Sequence, residues 1–174
     1  LSLTHVLNRD WKITVGYSLD TQEATDDLTG EVDLTEGEFL TSAGLFTTLA
    51  FDSRDSKLVP TKGSKAEVGL LWSTPILGAD LNYLGLRGSF FHFFPVTDNI
   101  VIATGVRFES RPLLDNSTDL PIQKRLFLGG ATTIRSFSQS RLGPFNPTTN
   151  EPIGGLTAAS AHVEGRIRVW RELH

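Results

Sequence analysis

The sequence predicts an all-β, antiparallel chain laid out as an up-and-down meander, on three observations. Apolar residues recur with a period of two along seven runs of the 174-residue sequence. Several runs reach 9–14 residues, whereas globular strands cluster near roughly 5–6 and a tilted membrane-crossing strand needs roughly 9–11. The two longest connections between runs also fall on the same end of the meander.

The first run, Leu1–Leu7, is loose, with Leu1, Leu3 and Leu7 opposite Ser2 and Thr4. In Trp11–Leu19 the alternation is strict: Trp11, Ile13, Val15, Tyr17 and Leu19 face away from Lys12, Thr14, Gly16 and Ser18. Phe39–Phe51 sets Phe39, Leu45, Leu49 and Phe51 against Ser42, Gly44 and Thr48. Ser64–Ser73 sets Ala66, Val68, Leu70 and Trp72 against Lys65, Glu67 and Gly69. In Leu81–Phe94 the apolar face is Leu84, Leu86, Phe90 and Phe94, and Tyr83, Arg87 and Ser89 lie opposite. Ile100–Ser110 opposes Ile100, Ile102, Val106 and Phe108 to Gly105, Arg107 and Glu109. Leu156–Val169 opposes Ala159, Ala161, Val163, Ile167 and Val169 to Ser160, His162, Glu164, Arg166 and Arg168.

The connections are Asn8–Asp10, Asp20–Glu38, Asp52–Gly63, Thr74–Asp80, Pro95–Asn99 and the very long Arg111–Gly155. Long loops on one end and short turns on the other is the asymmetry of outer-membrane barrels. Periodicity alone leaves two settings open. In a soluble sandwich the charged face is bathed by solvent; in a barrel it lines a wet lumen. Trp11, Trp72 and Tyr17 fit an interfacial aromatic girdle or a packed core equally. Pro60 and Gly63 read as makers of a tight turn.

Composition narrows the function. With 16 Lys and Arg against 20 Asp and Glu, the net charge is −4, which argues against nucleic acid as a partner. The absence of cysteine excludes a disulfide scaffold, a thiolate metal site and a cysteine nucleophile. The absence of methionine means that Leu1 is not a translated start, so the chain reads as a processed protein or a piece of a longer one. A closed bacterial barrel needs an even number of strands, at least eight, and seven runs point to strands missing at both ends.

Four motifs then occur in order. Phe51–Lys65 reads FDSRDSKLVPTKGSK, Phe93–Phe108 reads FFPVTDNIVIATGVRF, and Arg125–Phe137 reads RLFLGGATTIRSF. Leu142-Gly143-Pro144 and Pro152-Ile153-Gly154-Gly155 follow. From about Phe39 to Val169 this pattern resembles the Omp85 superfamily, of the surface-antigen type. The family carries an R-D-x-x-x-x-P-T-x-G-S turn, a Y-x-P-L-x-D-x-x-V-L hairpin, and an (R/K)-F-(F/Y)-x-G-G stretch leading into a (V/I/L)-R-G-(F/Y) tetrad.

The resemblance implies a transmembrane β-barrel of about sixteen strands, of which residues 1–174 would be a partial barrel domain, with the family's POTRA domains absent from this chain. It implies a place in the bacterial outer membrane, or in the outer membrane of mitochondria or plastids. The implied function is assembly and insertion of β-barrel proteins, with unfolded barrel clients, accessory assembly lipoproteins and membrane lipid as partners and no cofactor. The alternatives are a polypeptide-secretion pore of the same superfamily and a passive porin-like barrel. The long loop, about residues 111–155, would fold into the lumen. Ile134, Arg135, Ser136 and Phe137 would be its tip, and Glu164 would be the wall carboxylate that receives Arg135. Gly129, Gly130, Gly154 and Gly155 bracket the loop and would let it turn inward, or are ordinary loop glycines. Ser136 departs from the family's Gly, which suggests a backbone conformation open to any residue, or mild strain.

Enzyme readings find no footing in the motifs. His5, His92, His162 and His174 show neither H-E-x-x-H nor clustered metal-ligand spacing. No G-x-S-x-G elbow is present, and Gly129-Gly130 lacks the Lys-Ser/Thr of a phosphate loop. The expectation is a protein that is not an enzyme and holds no metal.

Overall fold

The computed structural model describes residues 1–23, 39–114, 120–131 and 133–168. Its seven strands are β1 (Ser2–Val6), β2 (Trp11–Glu23), β3 (Phe39–Asp52), β4 (Gly63–Ser73), β5 (Tyr83–Thr97), β6 (Ile100–Ser110) and β7 (Thr157–Ile167). They form one sheet in sequence order, each paired antiparallel with the next, and the sheet is not closed. No helix among the described residues is long and apolar enough to cross a membrane, which says nothing of strands.

The register turns the alternation of each strand into two continuous faces. One row across the sheet runs Ile13–Leu49–Val68–Gly88–Phe108–Ala159, and another runs Trp11–Phe51–Ala66–Phe90–Val106–Ala161. The row between them runs Lys12–Ala50–Glu67–Ser89–Arg107–Ser160, on the opposite face. A one-residue slip would exchange the faces, so the pattern fixes the register.

The apolar face is left bare. Val15, Leu45, Val68, Phe90, Val106 and Val163 are all exposed. A patch of this extent is untenable in water and is what a lipid-facing wall requires. Trp11 packs on Phe51 at one rim, with ring centroids 4.9 Å apart. Tyr17 and Trp72 flank Leu45 on adjoining strands nearer the other rim. At a strand rise of about 3.3 Å per residue the two levels lie about 20 Å apart along β2, close to the height of an outer-membrane apolar band. The girdle reading of these aromatics therefore fits better than a packed core.

The short turns share one device. In the β1–β2 turn Asn8 Oδ1 accepts from the Asp10 and Trp11 amides, both at 3.0 Å. In the β5–β6 turn Thr97 Oγ1 accepts from the Asn99 and Ile100 amides at 3.3 and 3.1 Å. Such side-chain acceptors replace backbone partners that a two-stranded turn cannot supply.

The β3–β4 turn is stiffer. Arg54 grips Asp52 through Nε and Nη2, both at 2.8 Å. Asp55 accepts from the Ser56, Thr61 and Lys62 amides and the Thr61 hydroxyl. These donors, the Thr61 hydroxyl first among them, lower the Asp55 pKa from 3.8 to about 2. Because the folded value is the lower one, the stabilisation is complete above about pH 4 and is lost as the pH falls through about 2. In amide hydrogen exchange on the folded protein, Thr61 and Lys62 should stay protected at pH 4, and Asp55→Ala, which removes the acceptor, should abolish that protection at any pH. Equal protection in the variant would contradict this role.

Several strand ends differ from the sequence expectation by one residue, and three differ by more. β2 runs on through Asp20 to Glu23, residues assigned above to the connection. β5 continues through Pro95 to Thr97, with the register shifting between those two residues. Proline donates no ladder hydrogen bond, so it sits where pairing is already irregular. β5 begins at Tyr83 rather than Leu81, because Leu81 and Asn82 close the turn from Thr74. Val169 and His174 lie outside the described residues.

Candidate functional site

The β6–β7 loop lies against the charged face. Its outgoing and returning limbs pair through the isolated bridges Leu126–Gly155 and Leu128–Leu142, and Phe145–Pro152 closes a second hairpin within the returning limb. Arg125 ties the two limbs together, donating from Nε to the Leu120 carbonyl at 2.6 Å and from Nη1 to the Ile153 carbonyl at 3.2 Å. Leu120 is fully buried beneath this root.

Between the limbs the chain reverses twice. The Gly130 amide donates to the Phe137 carbonyl at 2.9 Å, and the Phe137 amide to the Ile134 carbonyl at 3.1 Å. Residues 134–137 are therefore a β-turn, with Arg135 and Ser136 at its corner. Ser136 does not have positive φ; among the described non-glycine residues only Ser140 and Asn150 do. The serine is thus an ordinary turn residue, and the backbone freedom is supplied by Gly129 and Gly130, at φ 108° and 94°. A Cβ on Gly129 would lie 2.4 Å from the Ser138 carbonyl oxygen. Gly154 also has positive φ, whereas Gly155 has neither positive φ nor a close neighbour. So the four bracketing glycines are not equivalent.

The turn faces a recess of about 600 Å³. Its loop side is Ala131, Thr133, Ile134, Arg135 and Ser136, and its wall includes Phe91, Phe93, Arg107, His162, Glu164 and Arg166. The wall is built in layers. Arg107 lies over the Phe91 ring at 5.2 Å and Arg166 over the Phe93 ring at 5.4 Å, distances at which the cation meets the negative face of the ring. His162 packs beside Phe91 across Gly105, where any side chain would collide with the imidazole.

Arg135 and Glu164, predicted from opposite ends of the loop, thus border one recess, with Arg135 exposed and Glu164 half-buried. The Glu164 carboxylate takes its ion pair from Arg166 Nε at 3.1 Å. No Arg135 ion pair occurs among the described residues. Phe137 is exposed beside the turn. No cluster of three His, Asp or Glu gathers among the described residues.

Sequence reasoning missed two features of this site. Phe91 and Phe93 interrupt the polar face of β5, and they are tolerated there because Arg107, Arg166 and the loop cover them. Lys124, buried at the loop root, reaches Asp20 of β2 at 2.9 Å. A lysine placed just before the R-L-F-L-G-G stretch was the available signal, but nothing local identifies its partner.

The Omp85 superfamily domain matches residues 1–173. The chain belongs to the Omp85 superfamily. This Omp85 chain is 27% identical over 153 residues to the outer membrane protein assembly factor BamA of Nitratidesulfovibrio vulgaris. That match covers 86% of the chain but 19% of the relative, so the chain spans about a fifth of that protein's length. The crystal structure of BamA from Haemophilus ducreyi lacking POTRA domains 1–3 is similar in fold, with a TM-score of 0.62 at 18% identity. The likeness covers 94% of this chain and 35% of that one. The seven-stranded sheet accordingly matches part of a BamA-like barrel, and the Omp85 chain is a protein of the bacterial outer membrane.

Proposed function

We propose that this Omp85 chain is the loop-bearing wall of a factor that folds and inserts β-barrel proteins into the outer membrane. The observation that carries the reading is the 134–137 turn, which presents Arg135 across a recess from Glu164 on a lumen-type wall. The likeness to a protein named as an outer membrane protein assembly factor supports it. The clients are unfolded outer-membrane barrels, with accessory lipoproteins and lipid as further partners. The process breaks no covalent bond and uses no cofactor or metal.

In this reading Arg135 engages Glu164 in the working state. A guanidinium meets a carboxylate through two parallel hydrogen bonds, and in a partly water-excluded recess that contact is stronger than on an open surface. The docked loop braces the wall while a seam elsewhere in the barrel opens and offers an unpaired edge to the incoming client strand.

Arg135→Ala and Glu164→Ala, made in the full-length protein, should each slow client assembly about tenfold or more, the loss expected when one partner of a shielded charge pair is removed. Arg135→Lys should recover little, because an ammonium lacks the planar fork. Normal assembly by both alanine variants would overturn the reading.

A further inference from the structure

Among the described residues the long loop makes a close ion pair at its root, not at its tip. Lys124 closes the short 3-10 turn Ile122–Lys124, and its side chain is 9% exposed. Its Nζ meets Asp20 Oδ2 at 2.9 Å, and its carbonyl accepts from Arg111 Nη1. Arg125, the next residue, is committed to the Leu120 and Ile153 carbonyls. The root is therefore one hydrogen-bonded unit, from which the charged arm of Lys124 extends.

That arm reaches far. The loop leaves the sheet at β6, and Asp20 lies on β2, four strands away in the order β2-β3-β4-β5-β6. Asp20 stands beside Ser42 in the register, and Ser42 Oγ in turn lies 3.1 Å from the Tyr83 hydroxyl. The pair thus straps the loop across the charged face at its long-loop end.

We infer that Lys124 and Asp20 are positioning residues that set how deep the loop sits and so hold the 134–137 turn at the wall, independently of any contact made by Arg135. The inference deepens the proposed role of the turn and rests on it only for its consequence in assembly.

The chain contains no cysteine, and Ala131 and His162 line the same recess. Ala131→Cys with His162→Cys, joined by a short bis-maleimide linker in full-length protein whose cysteines outside this chain are replaced by serine, therefore reports turn position in outer membranes. Lys124→Met and Asp20→Asn should each cut cross-link yield about tenfold: the first removes the arm that reaches the half-exposed Asp20, and the second leaves the buried Lys124 ammonium uncompensated. Lys124→Arg should preserve the yield. The exchange Asp20→Lys with Lys124→Asp should bring it back to within about twofold, the behaviour of a directly coupled pair. Heat-modifiable gel migration identifies which variants are folded. Unchanged cross-linking in the folded single variants, or no recovery in the exchange, would overturn the inference. Loss of cross-linking with normal client assembly would leave the strap standing and defeat the proposed role of the turn.

Discussion

Val68→Arg is expected to destabilise the folded barrel by about 2–4 kcal/mol in a lipid bilayer, the cost of an arginine near the midplane of a barrel's outer face. Val68 is central in β4, 63% exposed, and flanked by Leu49 and Gly88. Its neighbour Glu67 faces the opposite way and pairs with Arg87 at 2.9 Å. Glu67→Gln should cost no more than about 1 kcal/mol, as for an ordinary solvated ion pair. Urea unfolding of the full-length protein in vesicles measures both. Were this face bathed by water, an arginine at so exposed a valine would be harmless, so the contrast reports which solvent the apolar face meets.

The second large effect is expected at Gly129. Gly129→Val must hold a β-branched residue at φ 108° while its Cβ meets the Ser138 carbonyl. Strain of this kind costs about 1–3 kcal/mol even without a collision, and it is relieved only by opening the turn that follows. Assembly should fall about tenfold, as for Arg135→Ala, because either change takes the guanidinium from the wall. Gly155→Ala serves as the internal comparison: its Cβ would make only ordinary contact with Thr157 and it has no positive φ, so assembly should stay near the unsubstituted rate. A normal rate for Gly129→Val would mean that the turn's shape is irrelevant to the activity.

The strands were legible because lipid on one side and a wet lumen on the other impose a period of two that no turn or helix imitates. Trp11–Leu19 shows this best, with five apolar positions alternating with four small or polar ones. The same logic explains the missed end of β2. From Asp20 to Glu23 both faces are polar, so alternation vanishes although the hydrogen-bonded ladder to Phe39–Ser42 continues. Pro95 hid the end of β5 because a proline is normally read as the end of a strand.

Within the site, the turn and Glu164 were reachable through the ordered motifs, and the structure sets them around one recess. The Glu164–Arg166 pair was less visible. Residues two apart on a strand share a face, so the pair was available from the alternation, but the family pattern drew attention to Arg135 alone. Lys124 and Asp20 are separated by 104 residues. Such a pairing is set by how the loop crosses the sheet, and a local pattern carries no trace of it.

The most direct test of the proposed function is depletion of the full-length protein followed by quantitative proteomics of the outer membrane. The account predicts a broad fall in many unrelated barrel proteins. Loss of a single secreted protein, with the other barrels at normal levels, would contradict it and identify a dedicated export pore.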